Sequence, residues 1–139
     1  MNMNKHTYLR AYMAGIVTPT IFFLVIATVF YMWRYVYDVP VPIERVLIFP
    51  MAVVPNLWGL WNILFIASHE RTHLSIGVHG ALLPLVLAPL GILLTHALEF
   101  PALPYAGRIF PIAAPTALIA YYLVWKYLVS FLNGVLAIA

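Results

Sequence analysis

The stretch IGVHGALLPLVLAPLGILLTHAL, residues 76–98, decides the fold: it contains no Asp, Glu, Lys or Arg and is bounded by Ser75 and Glu99. As a helix rising about 1.5 Å per residue, it covers the roughly 30 Å hydrocarbon core of a bilayer. Three further apolar runs of similar length lie at about 11–33, 46–68 and 109–128. The expectation is therefore an all-α integral membrane protein, a four-transmembrane-helix antiparallel bundle with proline-kinked helices, forming one membrane domain over residues 1–139. Composition points the same way. With 65% hydrophobic residues and only seven basic and four acidic side chains, the chain cannot clothe a soluble core of its size in polar surface. The first run is longer than the apolar region of a signal peptide and no small-residue cleavage site follows it, so it is expected to stay in the mature protein.

The net charge of +3 is scattered, with no basic run or face of the kind that tracks a phosphate backbone, so nucleic acid is not expected as a partner. The chain has no cysteine, which excludes disulfides, thiolate metal ligands and a cysteine nucleophile. Aromatic residues gather at Tyr8 and Tyr12, from Tyr31 to Tyr37, and at Tyr121, Tyr122, Trp125 and Tyr127, the positions of headgroup-level anchors. Lys5, Arg10, Arg71 and Lys126 on one side against Arg34, Arg45 and Arg108 on the other place both termini in the cytoplasm, with a bacterial inner membrane as the expected location. Lys126, near the end of the fourth run, would snorkel to that face. The tail from Asn133 is too short to cross again and is expected to extend the helix or lie in the interface.

Close helix approach in lipid depends on small side chains. The third run carries a seam at Gly77, Ala81, Pro84, Ala88, Gly91 and Thr95; the fourth offers Ala113, Ala117 and Ala120, the first Ala14, Thr18 and Thr28, and the second Ala52, Asn56 and Gly59. Such seams suit neighbouring helices or a second protomer. Asn56 and Asn62 in the second run are expected to bond to neighbouring helices. Pro19, Pro55, Pro84, Pro89 and Pro115 fall deep in the runs, where each removes an amide donor, whereas Pro50 and Pro111 sit near run starts. The connection Asp38-x-Pro40-x-Pro42-x-x-Arg45 before Phe49-Pro50 is echoed by Glu99-x-Pro101-x-x-Pro104-x-x-x-Arg108 before Phe110-Pro111, either a duplicated helix hairpin or two membrane re-entry turns that use Pro, one acid and one Arg for ordinary interfacial reasons.

The sharpest chemical signal is His69-Glu70-Arg71-Thr72-His73, an H-E-x-x-H pattern followed by His79. Residues four apart on a helix share a face, so His69 and His73 would ligate one zinc ion with Glu70 beside it as general base. The stretch resembles the zinc-binding helix of the zincin metallopeptidases, and the third histidine, ten positions after the first, is similar to the metzincin branch. That resemblance covers eleven residues. It departs from the metzincin pattern at Ile76, where those enzymes place glycine; here glycine comes one position later, at Gly77. With Ser75 as N-cap of the next helix, His79 would complete a three-imidazole zinc site open to water. His69 with His79 is the one pair suited to a haem iron, and His96 with Glu99 forms either a proton-accepting pair or headgroup-level polar residues.

These readings converge on a small polytopic protein of the lipid bilayer, expected to be a non-enzymatic accessory or oligomer-forming subunit that meets copies of itself or a partner membrane protein. A zinc metallohydrolase using the H-E-x-x-H stretch and a small transporter or channel are the alternatives.

Overall fold

The computed structural model describes residues 6–99 and 106–138. Lys5, Pro101 and Pro104 lie outside them, and of Arg45 only the backbone is described. Helix α1 runs Thr7–Tyr35, followed by the short α2 (Ile43–Val46) and a π-helical turn at Leu47–Met51. Helices α3 (Val54–Thr72), α4 (Ile76–Ala97) and α5 (Ala106–Val124) follow; a second π-helical turn at Trp125–Val129 leads into α6 (Ser130–Val135). Among the described residues there is no strand. Four helical stretches, Thr7–Tyr35, Phe49–Thr72, Ile76–Ala97 and Gly107–Val135, are long and apolar enough to cross a membrane. Each overlaps one expected run. The last runs on to Val135, so the tail extends the helix, one of the two placements expected for it.

The helix boundaries have local causes. Pro50 and Pro55 each lack an amide hydrogen; Pro50 lies within the π-helical turn, after which the backbone re-enters regular geometry with the bonds Val53 N–H to Phe49 O (2.9 Å) and Leu57 N–H to Val53 O (3.0 Å). Pro55 is the second residue of α3. It therefore occupies the first helical turn, where an amide donor has no helical acceptor to lose, and not the deep position its sequence context suggests. At the start of α4 the Ser75 hydroxyl accepts from Val78 N–H at 3.4 Å, the expected N-cap.

The helix ends share another device: Asp38 (φ 54°), His73 (φ 50°), Glu99 (φ 54°) and Ala137 (φ 50°) adopt the left-handed conformation. At Ala137 it completes a Schellman motif, in which Ile138 N–H donates to Asn133 O (2.9 Å) and Ala137 N–H to Gly134 O (3.0 Å).

The described residues divide into two compact units. Unit 1 holds residues up to Ile66 together with Leu132 onward, and unit 2 holds Ala67–Phe131. In unit 1, α1 buries Ala11, Ala14, Gly15 and Pro19, and α3 buries Val54, Pro55, Trp58, Gly59, Asn62 and Phe65. The backbones nearly touch: a Cβ on Gly15 would lie 2.6 Å from the Trp58 carbonyl oxygen and 2.8 Å from Gly59 Cα. Going from Gly15 back to Ala11 on α1 moves the α3 partner forward from Gly59 to Asn62, so these two helices run in opposite directions.

In unit 2 the contact is small against large. A Cβ on Gly80 would stand 2.0 Å from the Trp125 ring, and one on Gly77 would meet Tyr122 at 2.8 Å. Trp125, Val129 and Leu83 are fully buried.

The inward face of α4 is therefore Gly77, His79, Gly80, Leu83 and Leu87, and Ala88 of the expected seam faces out. The seam reading chose the inward face by small side chains; Gly77 lies on that face as expected, and at Gly80 a glycine makes the hole that an indole on the next helix fills. Thr18 and Thr28 likewise give way to Gly15 and Pro19 on α1, and the Thr28 hydroxyl turns back to Leu24 O at 2.8 Å.

Two checks follow from this packing. Gly15→Ala and Gly80→Ala should each destabilise the protein by about 1–3 kcal/mol through overpacking. Gly107→Ala and Gly134→Ala, whose new methyls meet nothing within 4 Å, should be neutral or slightly stabilising; thermal unfolding in detergent distinguishes the two pairs.

Arg34 at the end of α1 pairs with Glu44 of α2 at 2.5 Å. Glu44's hydrogen bond with its own backbone amide, and then Arg34, hold its carboxyl below the usual carboxylate range. A lowered pKa makes this contribution complete above the ordinary range and lost as pH falls through the lowered value. Carboxyl NMR should show the Glu44 midpoint rising in Arg34→Gln.

Candidate functional site

The H-E-x-x-H stretch lies in unit 2, at the end of α3 and in the turn to α4. His69, Glu70, Arg71, Thr72 and His73 are exposed. The last helical turn closes with His73 N–H to His69 O at 3.1 Å, but α3 stops at Thr72 and His73 is left-handed. Its side chain therefore departs from the helical face on which His69 sits, and the i, i+4 geometry that a zinc helix provides is lost. His79 is placed differently again. Lying one turn into α4, it is only 5% exposed and sets its ring edge-on to Trp125 at 6.0 Å between centroids. Among the described residues no three His, Asp or Glu side chains form a group that would hold a metal ion. The pair proposed for haem has one imidazole outside and one inside. His96 and Glu99 are both exposed at the other end of α4, as residues at a span end are expected to be.

The polar groups that do converge lie inside unit 1. Asn62 is fully buried and Asn133 is 2% exposed. Their amides are joined reciprocally: Asn62 Nδ2 donates to Asn133 Oδ1 at 2.7 Å, and Asn133 Nδ2 donates to Asn62 Oδ1 at 3.1 Å. The second Asn62 N–H donates to Ala11 O at 2.8 Å. A single side chain on α3 thus ties α1 to α6.

Above this pair, the Tyr12 hydroxyl donates to Asn56 Oδ1, and Asn56 Nδ2 donates to Ala52 O at 2.7 Å; the Tyr12 ring covers Gly59. Arg10 Nη1 donates to Leu136 O at 3.1 Å, placing a guanidinium at the negative end of α6, where a cation is favoured.

Chemically, this cluster is a set of donors and acceptors that satisfy one another, with no nucleophile and no carboxylate base among them. Its role is to hold helices in register. Asn62 was legible as a helix-to-helix bond from its place in an apolar run. Asn133 and Arg10 were missed, although an amide within the otherwise apolar stretch 131–139 was a visible signal that this segment has a polar partner.

Replacing only one amide leaves the other buried without its partner, at a cost of about 1–3 kcal/mol. Asn62→Leu should therefore lower stability more than the combined Asn62→Leu, Asn133→Leu change does beyond it, so that the double variant lies closer to wild type than the sum of the two single effects; unfolding in detergent gives the cycle. For the histidines, the arrangement predicts no stoichiometric zinc in chelator-free protein and no difference between wild type and His69→Ala, His73→Ala, as read by elemental mass spectrometry.

No known family model, no curated protein and no solved structure matches this chain.

Proposed function

We propose that this is an integral membrane protein that acts without catalysis, as an accessory or oligomer-forming subunit whose partner is a further copy of itself or another membrane protein. In this reading its four long helices insert as an antiparallel bundle kinked at interior prolines, in a bacterial inner membrane with both termini in the cytoplasm. One observation carries it: the fourth long helix has only 11% of its apolar window buried, against 33% for Phe49–Thr72. That helix leaves Ile112 74% exposed and keeps Ala113 and Ala120 outside as well. A face of this kind is covered by lipid, and its alanines allow another transmembrane helix to approach closely. The amide cluster of unit 1 supports the non-catalytic part of the reading, since Asn56, Asn62 and Asn133 are committed to one another, to Tyr12 and to backbone carbonyls.

The zinc metallohydrolase alternative, with Glu70 as base and His69, His73 and His79 as ligands, requires His79 to leave Trp125 and His73 to regain a helical backbone. The transporter or channel alternative rests on the interior prolines and the repeated helix hairpin.

Light scattering on protein purified in mild detergent tests the proposal. A protein mass that is a multiple of one chain, or a stoichiometric co-purifying membrane protein, is expected, and Ala113→Leu with Ala117→Leu should reduce that association at least several-fold. A strict monomer without a partner overturns the reading.

A further inference from the structure

Lys126 is the one charged residue in the stretch from Ile109 to Ala139, and its helix runs nine residues further, to Val135. It therefore stands well inside an apolar helix, roughly 13 Å from the end at 1.5 Å per residue. An ammonium at such a place needs an anion or water within reach. The π-helical turn Trp125–Val129 sends Trp125 inward against Gly80 and leaves Lys126 exposed. Lys126 Nζ lies 5.5 Å from the ring centre of Tyr122 and 5.4 Å from that of Tyr127. Contacts of this kind hold an ammonium in place without cancelling its charge.

The same turn packs on the first turns of α4, with Tyr122 at Gly77 and Trp125 at Gly80. Lys126 is thus close to the level of the turn from α3 to α4, where Arg71 and His73 are exposed. Among the described residues neither Arg71 nor Lys126 pairs with a carboxylate. Glu70, the one acid at this end of unit 2, points about 100° away from Arg71 around α3. Toward the middle of α5 from Lys126, Leu123 and Ile119 follow on the same face at helical spacing and are 45% and 61% exposed. Cations at one level, with a bare apolar strip running from them along a helix, match a ligand that is anionic at one end and hydrocarbon at the other.

We propose that this end of unit 2 binds one anionic phospholipid, with Lys126, Arg71 and His73 around its phosphate and an acyl chain along Leu123 and Ile119. Hydrogen bonds from ionised donors to phosphate oxygens are strong, and basic groups gathered at helix ends are where anionic headgroups are held. The apolar strip is what selects a lipid over free phosphate. The inference goes beyond the accessory-subunit reading and needs only that the helices insert. Ala113 and Ala120 lie about a third of the way round α5 from the strip, so a bound lipid leaves their face open to another helix.

The test uses full-length protein in mild detergent, washed free of native lipid and titrated with phosphatidylglycerol or with phosphatidylcholine of the same acyl chains. Native mass spectrometry counts the lipids retained. One phosphatidylglycerol per chain is expected at concentrations where phosphatidylcholine is not retained. Lys126→Gln and Arg71→Gln should each weaken that retention roughly five-fold, Lys126→Arg should preserve it, and Arg34→Gln, which removes a cation from unit 1, should leave it unchanged. Equal retention of the two lipids, or a loss that Arg34→Gln reproduces, overturns the proposal. Displacement of the lipid by millimolar inorganic phosphate overturns it too, because the site then takes a free anion. If Lys126→Gln does not fold, Arg71→Gln, at the exposed end of α3, decides. A one-chain protein mass in the same spectra sinks the oligomer reading and leaves the lipid site standing; a multi-chain mass without lipid preference does the reverse.

Discussion

The amide pair of Asn62 and Asn133 is the interaction on which unit 1 depends. Both side chains are removed from solvent, and a primary amide in such surroundings is costly unless its donors and acceptors are engaged. The reciprocal bonds, together with the Ala11 carbonyl, engage them and in doing so fix three helices at one level. Apolar contacts alone would let helices slide past one another or rotate by a turn; two amides that must meet face to face permit one register. Arg10 and the Schellman motif at Ala137 then hold the end of α6 at that register.

Glycine placed opposite a bulky partner sets the second level of specification. Gly15 admits the α3 backbone, and Gly80 admits the indole of Trp125. These contacts are shape matches in which a single added methyl has nowhere to go, and they sit four residues before Pro19 and Pro84 on the same helices. A proline has no amide hydrogen to give the carbonyl four residues earlier, so each of these glycines has a carbonyl without its usual helical donor at the place where its helix meets a neighbour.

Much of the architecture was legible in the sequence, because a membrane-length apolar run is a strong signal and each of the four was located. The Ser75 cap was also readable, as was Asn62. What escaped has definite physical origins. The tail was expected either to extend the last helix or to lie in the interface, and it extends the helix to Val135, but hydropathy gave no sign that Asn133 meets Asn62, 71 residues away in sequence. The seam on α4 was assigned by residue size, while the structure selects the face by what the facing helix inserts. The spacing in His69-Glu70-Arg71-Thr72-His73 presumes continuous helix, whereas α3 ends one residue before the second histidine and His79 turns inward against Trp125. No glycine or asparagine marks the left-handed stops at Asp38, His73, Glu99 and Ala137, so composition gave no warning of them.

The bond from Arg10 to the carbonyl of Leu136 has a consequence for biosynthesis. A chain leaves the ribosome from its N-terminal end, and its parts can pack only once all of them have emerged. Unit 2 is a continuous stretch and has every residue it needs once Phe131 is out. Unit 1 begins emerging first but needs Asn133 and Leu136, so it closes last. While the chain from Asn62 to Asn133 is being made, the Arg10 guanidinium, the Ala11 carbonyl and the Asn62 amide are without the segment that bonds to them. Helices α1 and α3 are thus locked in register only after every residue of unit 2 has been made, so whatever shields the polar side of α1 in the meantime takes part in folding this chain.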